Sequence, residues 1–272
     1  MKITSPPFWY DGHAHLADPR LAPVLGGLLA AAQKAGIGGW VQGGVEPEDW
    51  RRQRALKAAQ PAGTVLTSYG LHPWWIASQE SSQVEAGWEE LLKWGSEADA
   101  VGETGLDRAR DRGKLPSYAL QKELFRRHLQ LAKLWNKPLV LHIVQAHGEA
   151  LSILKEEGPF PASGLVHSFS ENFSVASKYL ALGFYLSVGA EATRPDHEKL
   201  KDSISRVAAD RLIIETDCPD QSPFVGNQRK QGLNEPVFLL AMAEAVGNYR
   251  HQSPESVLTQ STENIRKLFS LV

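Results

Sequence analysis

Residues 117–142 read SYALQKELFRRHLQLAKLWNKPLVLH, one helical period followed by one extended run. Leu120, Leu124, His128, Leu131 and Trp135 recur at three-to-four spacing, which places them on one face of a helix from Ser117 to Trp135. Asn136-Lys137-Pro138 stops that helix, because proline cannot continue it and biases its predecessor towards extended backbone. Leu139-Val140-Leu141 then has the character of a buried strand, and it ends in an imidazole, His142.

The same unit repeats outward in both directions. Short apolar runs occur at Phe8 to His15, Ile37 to Val41, Val65 to Leu71, Ala100 to Glu103, Leu139 to His142, Leu165 to His167, Phe184 to Val188 and Leu212 to Thr216. Helical stretches separate them. Pro47-Glu48-Asp49, Pro195-Asp196-His197-Glu198 and Ser253-Pro254-Glu255 each set proline and acids in a first turn, where free N–H groups favour negative charge. Strand followed by helix about eight times predicts an α/β fold with a parallel sheet inside a helical layer. A (β/α)8 TIM barrel needs roughly 250 residues, so we expect one barrel domain spanning residues 1–272. An open doubly wound sheet is the alternative. Its dinucleotide-binding version loses support, because no G-x-G-x-x-G follows the first strand.

Composition narrows the function classes. The net charge is −2, so no basic excess covers the surface as in a nonspecific nucleic-acid coat protein, and positive charge for a polyanion must be local. Cys218 is the one cysteine, which excludes an intramolecular disulfide and a cysteine-rich zinc module. The opening residues lack the apolar core of a signal peptide, and no run nears the ~18 apolar residues that span a bilayer. A cytoplasmic protein without membrane contact is expected, and nothing in the chain points to a protein partner.

The ends of the apolar runs carry the chemistry. They finish in Asp11-Gly12-His13-Ala14-His15, Gly70-Leu71-His72-Pro73, Val101-Gly102-Glu103, Val140-Leu141-His142, Leu165-Val166-His167 and Glu215-Thr216-Asp217. In a closed parallel barrel these C-terminal strand ends meet on one face, where active sites sit. His13 and His15, two residues apart on a strand, point the same way, as a pair gripping one ion must. Imidazoles and carboxylates crowded at one point are costly unless paired or bound to metal, so a metal centre is predicted. His72, followed by proline and two tryptophans, suits contact with substrate or water, or a structural role. His128, His147, His197 and His251 fall in helical segments and read as packing or surface residues.

These segments resemble the TatD-related metal-dependent DNase family over nearly the whole chain. The resemblance rests on Asp11-Gly-His-Ala-His15, Gly70-Leu-His-Pro73, Gly102-Glu-Thr-Gly-Leu-Asp107 and Gln121-Lys-Glu-Leu-Phe125. It continues through Lys137-Pro-Leu-Val-Leu-His142, Val166-His-Ser-Phe-Ser170, Glu215-Thr-Asp-Cys-Pro219, Asn234-Glu-Pro236 and the closing Thr262 to Phe269. It implies a TIM barrel that hydrolyses phosphodiesters with divalent metal, commonly as an exonuclease on DNA ends or single strands. On that mapping His13, His15 and Asp217 would hold one ion, His142 and His167 a second, and Glu103 would bridge both. Asp217 would also position or deprotonate the attacking water. One departure stands out. The family usually carries Ser-Arg and an acid after the fifth-strand histidine, whereas here Ile143-Val144-Gln145 follows His142. The change removes a phosphate partner and bears on substrate preference and rate.

Two divalent ions, magnesium, manganese or zinc, would activate water and offset phosphoryl charge without an organic cofactor. Arg108, Arg110 and Arg112, with Lys114, follow the fourth strand, and Arg229 with Lys230 follows the eighth, so both loops are expected to meet an anionic substrate; the alternative is that Asp107 and Asp111 largely cancel the first cluster and that both loops are simply solvated. Trp74 and Trp75, after the third strand, suit stacking on a base or packing at the core or rim, and His72 suits contact with substrate. Glu215 shares strand parity with Asp217 and is expected beneath the ions. Cys218 reads as packing. Two competing functions remain at this point. One is a small-molecule amidohydrolase or phosphotriesterase, many of which use a carboxylated lysine where this chain has Glu103. The other is a non-catalytic binding protein with a vestigial site.

Overall fold

The computed structural model describes residues 8–109 and 115–271, apart from the side chains of residues 115 and 116. Eight extended segments follow one another in order. They are β1 (Trp9–Ala14), β2 (Ile37–Gln42), β3 (in two pieces, Val65–Leu66 and Ser68–Tyr69), β4 (Ala100–Asp107), β5 (Leu139–Val144), β6 (Gly164–Val166), β7 (Tyr185–Val188) and β8 (Leu212–Ile214). Each pairs in parallel with the next. The break in β3 falls at Thr67, whose N–H donates to Asp99 (2.7 Å) while its carbonyl accepts from the N–H groups of Asp99 and Ala100. The ring closes where β1 meets the chain leaving β8. There Asp217 N donates to His13 O (2.9 Å) and His15 N to Cys218 O (2.7 Å). The fold is the expected (β/α)8 barrel of the TIM type.

Helices fill the connections, among them Pro47–Ala59, Leu115–Trp135, Glu198–Arg206 and Pro254–Leu268. The last is capped by the Ser253 side chain, which accepts from Ser256 N. The segment at Pro195 behaves differently from expectation. The helix there begins at Glu198, and Pro195 lies ahead of it in a turn. No helix among the described residues is long and apolar enough to cross a membrane.

Strand parity separates two cores. Tyr10, Val41, Leu66, Ala100, Val140, Leu165, Tyr185 and Ile213, one from each strand, form a buried cluster with Ile265 and Leu268 of the C-terminal helix. Their strand neighbours, such as Val101, Leu139, Leu141, Val166 and Ile214, pack with the helices instead. Full burial of each large apolar side chain stabilises the fold by about 1.5–3 kcal/mol. Two residues beyond the inner ring, β5 and β6 must aim His142 and His167 to the same side as Val140 and Leu165.

The boundaries correct the reading at one important place. β4 does not end at Glu103 but runs on to Asp107, so Glu103 lies mid-strand. The pairing of β4 with β5 shifts register between Val101 and Thr104. Gly102 makes that shift feasible, because its φ of +145° and a Cβ position 2.4 Å from Val140 O exclude any side chain. The eighth strand also stops early, at Ile214, leaving Glu215, Thr216 and Asp217 on the segment beyond it.

Candidate metal centre

Glu103 stands at the middle of the barrel mouth, almost wholly buried, and its two oxygens face different partners. Oε2 lies 3.2 Å from His13 Nε2 and 3.5 Å from His15 Nε2. Asp217 Oδ1 completes that side, 3.2 Å from His15 Nε2 and 3.7 Å from His13 Nε2. Oε1 lies 3.0 Å from His142 Nδ1 and 2.9 Å from His167 Nε2, and those two nitrogens are 3.0 Å apart. The other five side chains singled out in the sequence, from segments as distant as β1 and the turn after β8, thus cluster with Glu103.

The second shell of contacts fixes which imidazole atoms are free. His142 Nε2 donates to Asp107 Oδ2 at 3.1 Å, which leaves the Nδ1 lone pair aimed at Glu103. His167 turns Nδ1 towards Glu215 Oε1 (3.4 Å), leaving Nε2 for the same space. In the neutral rings, lone pairs from Glu103 Oε1, His142 Nδ1 and His167 Nε2 therefore converge on one space, which the His72 Nε2–H also faces. On the other side His13 Nε2, Glu103 Oε2 and Asp217 Oδ1 are buried and have no aligned hydrogen-bond partner among the described residues. Orphaned buried acceptors are expensive, and a cation in each space would satisfy them. The donor set fits metal on both sides. Groups able to bind an ion form at His13, His15 and Glu103, at His13, His167 and Asp217, and at His72, Glu103 and His142.

His72 plays a different part from the other four imidazoles. Its Nδ1 accepts from Trp74 N at 3.0 Å, so in the neutral ring the proton is on Nε2, which faces Glu103 Oε1 at 3.2 Å. Burial pushes its pKa down to about 4, with Glu103 opposing the shift, and so keeps it neutral. It is a donor to Glu103 rather than a free lone pair. His128 supports this loop from below, taking Leu71 N on its Nε2 at 3.0 Å.

The charges here are strongly coupled. Burial works to raise the Glu103 carboxyl, but His167, His72 and His13 outweigh it and hold the group well below the usual carboxylate range. Burial likewise opposes, and His15 overcomes, the ionisation of Asp217. For His15 burial lowers the pKa, yet Asp217 and Glu103 lift it to about 9. Burial pushes Asp11 up to about 8 although Thr216 hydrogen-bonds it. Asp11 Oδ1 accepts from Thr216 N (2.9 Å) and from His13 N (3.3 Å), so it locks β1 to the segment carrying Asp217.

Several positioning groups went unanticipated. Asp107 was read with the arginines of its loop, yet it accepts from His142 and from the Trp74 indole N–H. Its position four residues from Glu103 on one strand was the available signal. Gly43 is another, since a Cβ there would lie 2.6 Å from His13 Nε2. Substituting Asp107→Asn should weaken metal affinity about 10–100-fold, as for other groups that orient a ligating histidine. Equilibrium competition with a chelator measures this, and unchanged affinity would separate Asp107 from the centre.

Above the centre lies a cleft of about 660 Å3. His72 and Trp74 line it, with Trp74 substantially exposed. Ile143, Val144 and Gln145 form part of its wall, so the apolar replacement after His142 faces the cleft. Arg108 does not line it. The structure turns this side chain to Glu149 (2.9 Å) and over the Tyr118 ring. Arg110 and Arg112, with Lys114, lie outside the described residues. Arg229 is engaged with Glu191 at 2.6 Å. Among the described residues Arg20 is the one lysine or arginine on the cleft wall, held by both Asp18 and Asp220. Neither its contact across 200 positions of sequence nor its place in the cleft follows from local pattern.

The family model described as TatD related DNase matches residues 10–270. The uncharacterized metal-dependent hydrolase YabD of Bacillus subtilis (strain 168) is 29% identical over 262 residues, covering 96% of this chain and 99% of that protein. The 3'-5' ssDNA/RNA exonuclease TatD of Pantoea vagans (strain C9-1) is 30% identical over 270 residues, covering 96% and 99% respectively. Among solved structures, the TatD homologue YjjV from Escherichia coli K12 superposes with a TM-score of 0.84 at 27% identity, covering 96% of this chain and 98% of that one. A hydrolase of the TatD family from Entamoeba histolytica shares the fold, with a TM-score of 0.82 at 17% identity.

Proposed function

Since the chain belongs to the TatD-related DNase family of metal-dependent hydrolases, we propose that it hydrolyses phosphodiester bonds of DNA from an end, using two divalent ions. The observation that carries this reading is Glu103, whose Oε2 and Oε1 face separate sets of lone pairs. One ion would be held by His13, His15 and Asp217, the other by His142 and His167, with Glu103 between them. When bound, such ions lower the pKa of water towards neutrality and offset the charge of a phosphoryl group under attack. Magnesium, manganese and zinc all suit the reaction, and the imidazole-rich set favours the last two over the first.

The protein's own groups supply the rest. Asp217 Oδ1 is the acceptor that orients the attacking water and takes its proton. His72, neutral and with its proton on Nε2, holds Glu103 in place and faces the cleft. Trp74 presents an indole face on which a terminal base would stack, a contribution of about 1–3 kcal/mol. Arg20, on the cleft wall, and Arg110 and Arg112 of the loop after β4 are the groups we assign to backbone phosphates. The continuous ring of strands supports reading the chain as one domain, and a DNA substrate supports a cytoplasmic location.

A second reading uses the same centre on a small ester or amide. It is favoured by the cleft wall, where Val144 presents an apolar side chain and Arg20 is already held by two acids. One experiment separates the two. Metal-free protein is given end-labelled single- and double-stranded DNA with magnesium, manganese or zinc in turn, alongside a panel of chromogenic esters and amides. Stepwise shortening that disappears in an Asp217→Ala variant is expected. DNA left intact under every metal, with ester or amide turnover, would establish the second reading instead.

A further inference from the structure

We propose that Gln221 is a positioning residue for Asp217, fixing which carboxylate oxygen is presented to the reaction; this rests on the role given to Asp217 above. The Gln221 side-chain N–H donates to Asp217 Oδ2, and the same nitrogen lies 3.0 Å from Ser168 Oγ. Asp217 Oδ1 is thereby turned inward, to His15 and His13. An unrestrained carboxylate rotates and offers either oxygen, or both, to a cation. An amide donor on Oδ2 removes that freedom, and being neutral it neither competes with the ions nor cancels the charge of Asp217.

The backbone is arranged around this contact. Ser168, Asp217 and Gln221 adopt φ values of +48°, +58° and +53°, the left-handed region that non-glycine residues seldom occupy. All three belong to one hydrogen-bonded cluster. Buried Asn234 clamps the turn from behind, donating to the carbonyls of Thr216 (2.6 Å) and Gln221 (3.2 Å) on either side of Asp217. Asp220 N donates to Asp217 O at 3.0 Å within the same turn. On its far side the cluster reaches the other half of the centre, because Ser168 N donates to Glu215 Oε1 (2.6 Å), the acid beside His167. A loop shaped only for solvent would have no reason to hold three strained residues in register with one carboxylate.

The test uses Gln221→Met, which keeps the length of the side chain and removes its N–H, with Ser168→Ala as a milder second variant. Protein loaded with Co2+ is read by visible absorption, which reports the ligand arrangement without any turnover. Steady-state rates are taken on labelled single-stranded DNA. Gln221→Met is expected to alter the cobalt spectrum and to lower kcat about tenfold at a KM within about twofold, since small misplacements of a reacting group cost rate rather than binding. Ser168→Ala should move both readouts the same way and less far, at an unchanged melting temperature. A cobalt spectrum identical to the parent's in Gln221→Met overturns the proposal. So does a raised KM at constant kcat, which would make Gln221 a substrate contact. Parent protein inactive on DNA under every metal would sink the proposed function while the cobalt spectra still judge Gln221.

Discussion

Glu103→Gln is expected to reduce turnover by at least about 10³-fold and to leave the purified protein with fewer than two ions per chain. Removal of one fixed group that stabilises charge in a reaction already costs about 10²–10³-fold, and in the proposed centre both ions would depend on the same carboxylate. Glutamine keeps the volume of the side chain but brings one neutral oxygen and one NH2. The oxygen can serve one half of the centre, whereas the NH2 must then face nitrogens whose lone pairs are waiting for a cation. That conflict falls either on His13 and His15 or on His142 and His167, all within 3.5 Å of the two Glu103 oxygens. The fold itself should survive, because β4 is held by Gly102 and by its pairing with β5, not by the charge at position 103. Metal analysis, initial rates and thermal melting of the metal-free variant are the measurements. Two ions per chain with a near-parental rate would remove Glu103 from its bridging place.

The parts of this centre that were legible in the sequence are those set by strand parity. His142 follows Leu139-Val140-Leu141 after a proline stop, so its direction is fixed by backbone period alone. His13, His15 and His167 follow in the same way. Glu103 was found by its residue type at the end of an apolar run, but its true setting was missed. The glycine at 102 marks an irregular stretch of strand that continues to Asp107, and a run of Gly-Glu-Thr-Gly does not look apolar enough to be read as one. Asp107 was consequently placed with its charged neighbours rather than beneath His142. Arg108 shows the opposite error. Its charge was visible, whereas Glu149, the partner that turns it from the cleft, lies 41 positions away on another helix. Arg20, Gln221 and Asn234 sit in loops, where direction is set by contacts with distant segments and no period reports it. Sequence patterning thus describes what strands present, and it says little about the loops that orient those groups.

Asp217→Asn should lower kcat about 10³-fold, and saturating metal should not restore it. Asparagine is the most tolerant replacement here, because position 217 has a φ of +58° and asparagine enters the left-handed region more readily than other side chains with a Cβ. Any loss of function can then be assigned to charge rather than to folding. Two roles are combined in the native carboxylate, and metal concentration separates them. As a ligand, Asp217 Oδ1 would share its ion with His13 and His15, so the variant should need more metal for half-maximal rate. As the acceptor for the proton of water, it has no substitute nearby. The adjacent Oδ2 is covered by Gln221, Glu103 is committed to the imidazoles around it, and Glu215 lies behind His167. General-base groups contribute about 10²–10⁴-fold, and an amide cannot take a proton at neutral pH, so the deficit in kcat should persist once the ions are saturated. A rate that climbs back to the parental value at high metal would show that Asp217 only holds an ion, and that water is activated without it.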